Sequence, residues 1–154
     1  MGTLKGKKVV IIGGSYGMGF ATAEMAVDAG AEVAIAARGA DKLAKAATKL
    51  EWRGNRPVAW RALRVEDRPA VAAFLADCAP FDHLVLPGST VNPVLYDDLT
   101  EEEAVAVYAQ KGPMKRLGSI DEFGALCAFL CSRQAGYITG QAIVIDGGHM
   151  PTLL

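Results

Sequence analysis

The glycine-rich segment of residues 13–19 is the part of the sequence whose residue types and spacing point most directly to chemistry. It reads Gly-Gly-Ser-Tyr-Gly-Met-Gly and stands between a β-branched run and an alanine-rich stretch with helical spacing. In such a loop, glycines allow a sharp turn and a close approach of the backbone to a phosphate, and the N–H groups and dipole of the next helix favour an anion. Because tight turns also select glycine for steric reasons, the strand–loop–helix context carries the interpretation. The segment therefore predicts a pyrophosphate-binding loop.

Strands and helices alternate along the chain around this loop. Strands are predicted over residues 9–12, 32–37, 58–63 and 82–86, and helices over residues 20–29, 41–52 and 67–78. After the fourth strand, the pattern predicts helices over residues 100–109 and 121–132 and a last strand over residues 140–146. This alternation indicates one parallel sheet covered by helices on both faces. The predicted fold class is therefore α/β: a doubly wound, Rossmann-like parallel sheet of about five strands in the order 3-2-1-4-5.

Composition and charge exclude several classes of function. The 154 residues include 16 Lys and Arg and 17 Asp and Glu, for a net charge of -1, so there is no basic field to bind nucleic acid. A hydrophobic content of 51% is enough for the core of a single domain, residues 1–154. No apolar run is long enough for a signal segment or a membrane span, so we expect a cytoplasmic location and no membrane partner.

The cysteines and histidines predict no metal site. Cys78, Cys127 and Cys131 include no Cys-x-x-Cys pair, and only His83 and His149 are available to complete a ligand set. Cys127 and Cys131 lie in an apolar helical stretch, where buried small side chains explain them better than a redox pair does. An odd number of cysteines without such a pair is typical of a reducing compartment.

The spacing Gly-x-x-x-Gly-x-Gly in residues 13–19 resembles that of the short-chain dehydrogenase/reductase family. Other segments resemble that family in the same order along nearly the whole chain. They are Ala-Ala-Arg at 36–38, Leu-Arg-Val at 63–65, Leu-Val-Leu-Pro-Gly-Ser at 84–89, Lys-Arg-Leu-Gly at 115–118, Tyr-Ile-Thr-Gly-Gln at 137–141 and Asp-Gly-Gly at 146–148. The resemblance implies an oxidoreductase that transfers a hydride between NAD(P)(H) and a carbonyl or alcohol. At the matching positions it implies cofactor contacts by Gly13, Ser15, Tyr16, Gly17, Met18, Gly19, Arg38, Arg64, Val65 and Gly88.

The end of the second predicted strand bears on the choice of cofactor. An acidic residue there would accept a hydrogen bond from a ribose 2′-hydroxyl and repel a 2′-phosphate. The sequence instead has Ala37 followed by Arg38, whose guanidinium can pair with a phosphate. Tyr16 stands at a position that is often basic in NADP-preferring members of the family, and it adds no charge. The pattern favours NADP(H) over NAD(H); a solvated arginine at a strand end is the alternative explanation of Arg38.

Two other positions depart from the family pattern. Arg64 stands where the family usually has an aspartate that contacts adenine, and Leu86 and Pro87 replace its Asn-Asn pair. Stacking of Arg64 on adenine is one way in which the position could still contribute.

The catalytic set that the resemblance implies has no counterpart in the sequence. That set is a serine, a Tyr-x-x-x-Lys pair and an asparagine, in which the lysine ammonium lowers the pKa of the tyrosine. The residues four positions after the four tyrosines are Phe20, Thr100, Gly112 and Gln141, so no Tyr-x-x-x-Lys exists. No catalytic residue is therefore assigned.

The family pattern is interrupted near residues 105–110 and resumes near the final helix. At about 30 residues per βαβ unit, the missing part amounts to about 60–90 residues. Natural deletion, engineering and omission of a segment all remain open at this point. So do three functions: an NADP(H)-dependent oxidoreductase with impaired catalysis, a non-catalytic NADP(H)-binding module and a folded dimeric remnant. We expect self-association as a two-fold dimer through the final helix and strand, about residues 121–146.

Overall fold

Four strands and five α-helices lie within residues 4–87 and 99–149, the part of the chain that the computed structural model describes. They are β1 (Lys8–Ile12), α1 (Gly17–Asp28), β2 (Glu32–Ala37), α2 (Ala40–Gly54), β3 (Ala59–Ala62), α3 (Arg68–Cys78), β4 (His83–Val85), α4 (Glu101–Lys111) and α5 (Ile120–Leu130), with a short 3-10 helix at Arg133–Ala135. The described residues fall into two units, the first of residues 4–87 and 120–139 and the second of residues 99–119 and 140–149. None of the described helices has both the length and the apolar character needed to cross a membrane.

The strands of the first unit form one parallel sheet in the order β3-β2-β1-β4. Ile12 of β1 is level with Ala36 of β2, and Ala37 of β2 is level with Ala62 of β3. The carboxyl ends of these strands therefore lie at one edge of the sheet, where the loops that follow them begin. The strand order reverses at β1, and parallel α/β sheets bind ligands outside the carboxyl ends of the strands at such a point. The α/β class and the order of the first four strands are confirmed.

The central strands of the sheet, β1 and β2, are buried on both faces. Val9 and Ile11 of β1 belong to the core cluster formed with α1 and α2, whereas Val10 and Ile12 belong to the cluster formed with α3. All four side chains are at most 7% exposed. Burial on both faces explains why β1 is a continuous apolar run and not an alternating pattern.

Side-chain caps fix the starts of two helices. At α3, Asp67 Oδ1 accepts a hydrogen bond from Ala70 N at 3.1 Å. At α4, Glu103 N donates to Thr100 Oγ1 at 3.3 Å, and Thr100 N donates to Glu103 Oε2 at 2.9 Å, which together form a capping box. The bonds from the Thr100 backbone and hydroxyl hold the pKa of Glu103 below its usual range.

The second unit is organised around His149. Its ring stacks on that of Tyr108 in α4, with the centroids 4.4 Å apart. Its Nε2 lies 2.9 Å from the Tyr108 carbonyl oxygen, and its Nδ1 lies 3.1 Å from the Asp146 carbonyl oxygen. A Cβ on Gly112 would overlap the His149 ring, so the glycine makes room for it. The stacked ring and a hydrogen bond from whichever ring nitrogen carries the N–H thus hold α4 against the turn of residues 146–149.

The predicted last strand does not form. Residues 140–146 contain no strand, so the sheet within the described residues has four strands and not the five of the order 3-2-1-4-5. Ile143, Val144 and Ile145 are 44%, 53% and 47% exposed. Their β-branched composition indicates a preference for extended backbone, but a strand also needs a neighbour with which its backbone groups can pair.

Helix α5 lies against α1 through a glycine. Gly124 is buried, and a Cβ at this position would lie 2.8 Å from the Ala21 carbonyl carbon and 3.1 Å from Thr22 N. Thr22 is 1% exposed, and its hydroxyl donates to the Met18 carbonyl oxygen at 2.8 Å. The backbones of the two helices can approach this closely only because residue 124 has no side chain.

The close contact between α1 and α5 makes Gly124 sensitive to substitution. We expect Gly124→Ala to lower the free energy of unfolding by about 1–3 kcal/mol, because the new methyl group forces the helices apart. Alanine by itself would favour the helix by up to about 1 kcal/mol, so a loss of stability isolates the steric effect. Chemical denaturation followed by circular dichroism measures the change. Asp121→Glu is the control, since it adds one carbon to the same helix at an exposed position; equal stability of the two variants would contradict the prediction.

Candidate functional site

The loop after β1 is tied to β2 by its first two residues. Gly13 N donates to the Ala36 carbonyl oxygen at 2.7 Å, and Gly14 N donates to the same oxygen at 3.3 Å. Gly13 has a φ of +109°, which L side chains rarely adopt. A Cβ on Gly14 would lie 2.8 Å from Ile35 Cγ2, so this glycine packs on the sheet. The glycine pair therefore lets the chain turn sharply at the end of β1 while it stays in contact with β2.

The start of α1 lies directly on this turn. A Cβ on Gly19 would overlap the Gly13 carbonyl oxygen and would lie 3.0 Å from Pro87 Cγ, beyond β4. Gly17 differs from Gly19, because a Cβ there would meet no described atom within 4 Å, and its φ is +57°. Gly19 thus brings the helix close to the sheet, whereas Gly17 leaves its own side of the loop open.

The N-terminus of α1 is free to receive an anion. Tyr16 is the N-cap residue, with an extended backbone (φ −165°, ψ 173°), and its side chain makes no capping hydrogen bond. The first turn of α1 contains no acidic residue. The first N–H groups of a helix have no partner within the helix, and the helix dipole adds partial positive charge there. The geometry suits a phosphate or pyrophosphate group.

The remaining predicted site residues follow the other strands. Arg38 comes directly after β2 and is exposed, and among the described residues it forms no ion pair. Arg64, after β3, lies with its Nε 3.6 Å from Glu66 Oε2, and both side chains are about two-thirds exposed, at 67% and 65%. Val65 is 57% exposed. Gly88 lies outside the described residues.

All the predicted site residues except Gly88 lie in the described part of the chain, and they follow one edge of the sheet. Ser15 and Met18 are half-buried within the loop, and Tyr16 is 69% exposed. Arg38 and Arg64 follow neighbouring strands, β2 and β3, at the same edge. The edge therefore carries an uncapped helix start and two exposed guanidinium groups.

Lys42 was missed at the sequence level. Its Nζ lies 5.7 Å from the centroid of the Tyr16 ring, so the first turn of α2 contributes a cation beside the start of α1. Residues 16 and 42 have no relation in sequence that would have revealed this contact. Pro87 was not predicted to be a site residue, and the structure places it against Gly13 and Gly19.

Other chemistries find no support in the described part of the chain. No group of three or more metal-binding side chains is present among the described residues. Burial raises the pKa of the Cys127 thiol, and burial together with the neighbouring Cys127 raises the pKa of Cys131 to about 11. Both shifts are opposite to those of reactive cysteines, whose pKa is lowered. All three cysteines are free thiols; Cys78 is buried, whereas Cys127 and Cys131 are half-buried.

Two family models match the sequence. A model described as short chain dehydrogenase matches residues 7–110, and a model described as Enoyl-(Acyl carrier protein) reductase matches residues 83–150. The first spans β1 to α4 and includes the whole glycine loop. The predicted interruption of the family pattern near residues 105–110 stays a prediction.

Curated relatives match a shorter part of the chain. The NADPH-dependent reductase BacG of Bacillus subtilis is 44% identical over 62 residues, which are 40% of this chain and 24% of that protein. A tropinone reductase homolog of Arabidopsis thaliana is 41% identical over 64 residues, which are 42% of this chain and 24% of that protein. The matched chain thus spans about a quarter of the length of these relatives.

Solved structures share the fold. L-Sorbose reductase of Gluconobacter frateurii in complex with NADPH and L-sorbose has a TM-score of 0.82 at 20% identity, over 99% of this chain and 99% of that chain. The Pseudomonas aeruginosa RhlG/NADP active-site complex has a TM-score of 0.79 at 19% identity, over 96% of this chain and 97% of that chain. At this level of identity the likeness establishes the fold alone.

The raised pKa of Cys131 predicts a slow thiol. At pH 8 we expect Cys131 in the folded protein to react with iodoacetamide about 100-fold more slowly than in the unfolded chain, because less thiolate is present. Peptide mass mapping with and without denaturant measures both rates; equal rates would contradict the prediction. The same shift makes stability depend on pH. Because the pKa of Cys131 is raised in the folded protein, the contribution of this thiol to the free energy of unfolding is complete below the usual thiol pKa of 9.0. That contribution is lost as the pH rises towards about 11.

Proposed function

Because the chain belongs to the short-chain dehydrogenase family, whose model matches residues 7–110, we propose that it binds NADP(H) at the carboxyl edge of its parallel sheet. The observation that carries this proposal is the uncapped start of α1, held on the end of β1 by the contact of Gly19 with Gly13. The helix start offers backbone donors there, with no acidic side chain in the first turn. A pyrophosphate would accept from those donors.

The proposed contacts follow from the loop geometry. The pyrophosphate lies over the open side of Gly17, with the backbone of residues 15–18 and the start of α1 as donors. The adenosine half extends along the edge towards β2 and β3, where Arg38 meets the ribose and Arg64 and Val65 meet the adenine. Gly88, outside the described residues, belongs to the same proposal as a cofactor contact.

Charge after β2 supports NADP(H) over NAD(H). Ala37 offers no carboxylate to a ribose 2′-hydroxyl, and Arg38 is exposed and forms no ion pair among the described residues. A guanidinium outside any ion pair suits a phosphate. The relative from Bacillus subtilis is named as an NADPH-dependent reductase, and two of the structural neighbours are described as complexes with NADP or NADPH.

The proposal separates cofactor binding from turnover. A bound NADPH would supply the hydride for reducing a carbonyl, which is the reaction class of the family. The chain has no Tyr-x-x-x-Lys pair, and Tyr108, the tyrosine nearest to that spacing through Lys111, stacks on His149. We therefore propose an NADP(H)-binding protein in which carbonyl reduction is impaired, with the pattern interrupted near residues 105–110 of one domain. A cytoplasmic location stays a prediction.

Titration with NADPH tests the proposal directly. We expect saturable enhancement of NADPH fluorescence, weaker binding of NADH, and little oxidation of NADPH with generic ketones. No binding of either cofactor at millimolar concentration would refute the proposal and favour a folded protein without a ligand. Rapid oxidation of NADPH with a ketone would instead favour an active carbonyl reductase.

Substitution of Arg38 by aspartate is expected to reverse the cofactor preference. The introduced carboxylate would repel the 2′-phosphate and accept from a ribose 2′-hydroxyl, so NADPH binding weakens by at least about tenfold while NADH binding is kept or strengthened. Fluorescence or calorimetric titration gives both dissociation constants. The matched control is Arg56→Asp, which changes an exposed arginine in the loop before β3, at the opposite edge of the sheet. An unchanged preference in Arg38→Asp would contradict the assignment.

Self-association through residues 121–146 is a separate proposal. Phe129 and Leu130 at the end of α5 are 42% and 36% exposed, and Ile120 at its start is 48% exposed. Exposed apolar side chains of this size are typical of surfaces that become buried on association. We expect a two-fold dimer in sedimentation velocity, and conversion towards monomer in Phe129→Glu. A wild-type monomer at micromolar concentration would contradict this proposal without bearing on cofactor binding.

A further inference from the structure

A contact between Lys42 and Tyr16 joins the first turn of α2 to the start of α1. Lys42 Nζ lies 5.7 Å from the centroid of the Tyr16 ring, within the range of cation–π attraction. Tyr16 is the N-cap residue of α1 and is 69% exposed. The ring therefore holds an ammonium group beside the uncapped helix start, and Arg38 lies just before the same turn of α2.

The net charge of the segment after β2 depends on Lys42. Residues 38–42 contain two cations, Arg38 and Lys42, and one acid, Asp41, for a net charge of +1. Without Lys42, Asp41 balances Arg38 and the net charge is zero. A phosphate monoester carries about −1.5 to −2 charges near neutral pH, so a neutral segment would attract it only weakly.

Lys42 and Arg38 also differ from several basic side chains of the first unit. Lys7, Arg53 and Arg61 are held by acidic partners at 2.6–2.8 Å. Among the described residues, neither Lys42 nor Arg38 forms an ion pair. An aromatic ring positions the Lys42 ammonium without neutralising it, which leaves its charge available to a ligand.

A purely structural role would explain the contact in another way. Lys49, about two helical turns further along α2, lies with its Nζ 5.9 Å from the Phe20 ring, so lysines over rings could simply pack α2 on α1. The two explanations differ in what they affect. A packing role changes stability and leaves the preference between cofactors unchanged, whereas a ligand role changes the preference and leaves stability nearly unchanged.

We propose that Lys42, positioned by the ring of Tyr16, is a specificity-determining residue that shares the 2′-phosphate of NADP(H) with Arg38. This inference rests on the proposed function, since it assigns a further residue to the same cofactor site. The ligand chemistry is a phosphate monoester on an adenosine ribose. Tyr16 is a positioning residue, and its ring supplies the attraction that fixes the ammonium group.

The test compares dissociation constants for NADPH and NADH in matched variants. Lys42→Met removes the charge and keeps the aliphatic chain, and we expect NADPH binding to weaken by about tenfold and NADH binding to change by less than about twofold. Lys42→Arg should retain NADPH binding. Tyr16→Leu should weaken NADPH binding selectively and by a smaller factor, because the ammonium is no longer held. Lys45→Met, an exposed position on the same helix, is the control and should behave as the wild type.

Adenosine 2′,5′-bisphosphate and AMP serve as a second pair of probes, because they differ only in the 2′-phosphate. A wild-type preference for the bisphosphate that is lost in Lys42→Met supports the proposal.

The outcomes separate this inference from the proposed function. If the wild type binds NADPH and Lys42→Met binds it equally well, or loses NADPH and NADH binding equally, the inference is overturned and the proposed function still stands. Normal NADPH binding by Tyr16→Leu would overturn the role of the ring. A wild-type chain that binds neither cofactor would overturn both proposals. Thermal unfolding of each variant tests for a packing role. A large loss of stability with an unchanged preference for NADPH over NADH would indicate such a role.

Discussion

The contact between Gly19 and the Gly13 carbonyl oxygen is the constraint on which the candidate site depends. No side chain fits between these two residues, and Pro87 closes the same space from the side of β4. The contact fixes the first turn of α1 on the end of β1, so the direction of the helix start is set by backbone packing. The positions of Tyr16 and Gly17 follow from it, because they lie on the short stretch of chain between the two glycines.

A second constraint comes from the burial of the central strands. β1 and β2 are covered on both faces, and Gly14 packs against Ile35 of β2. Strands held in this way keep a fixed register, and the register places the residues that follow β1, β2 and β3 at one edge. The core therefore positions Arg38 and Arg64, although neither side chain belongs to it. Most of the predicted site residues are polar or small because they occupy the edge, and the strands that align them are apolar because they are buried.

The sequence was sufficient to predict features that depend on neighbouring residues along the chain. The β-branched run of β1, the helix starts near residues 67 and 100 and the glycine loop each have a local physical cause, and the structure contains all of them. Features that depend on contacts between distant residues were not predictable. Residues 140–146 have the composition of a strand but no neighbouring strand in the described part of the chain. The contact of Lys42 with Tyr16 requires that α1 and α2 pack side by side, which no local pattern reveals.

Cofactor binding and hydride transfer draw on different parts of this fold. The loop after β1, the start of α1 and the turn between β2 and α2 all lie within residues 13–42. The strands and helices that carry them share one hydrophobic cluster, so a chain that folds from β1 to α2 already holds the groups proposed to bind phosphate. The family's tyrosine and lysine would have to come from elsewhere in the chain, and no such pair occurs in this sequence. A protein can therefore retain the electrostatics that recognise a dinucleotide while lacking the acid and base that use it. The proposed separation of cofactor binding from turnover follows because the two sets of residues belong to different parts of the family's sequence pattern.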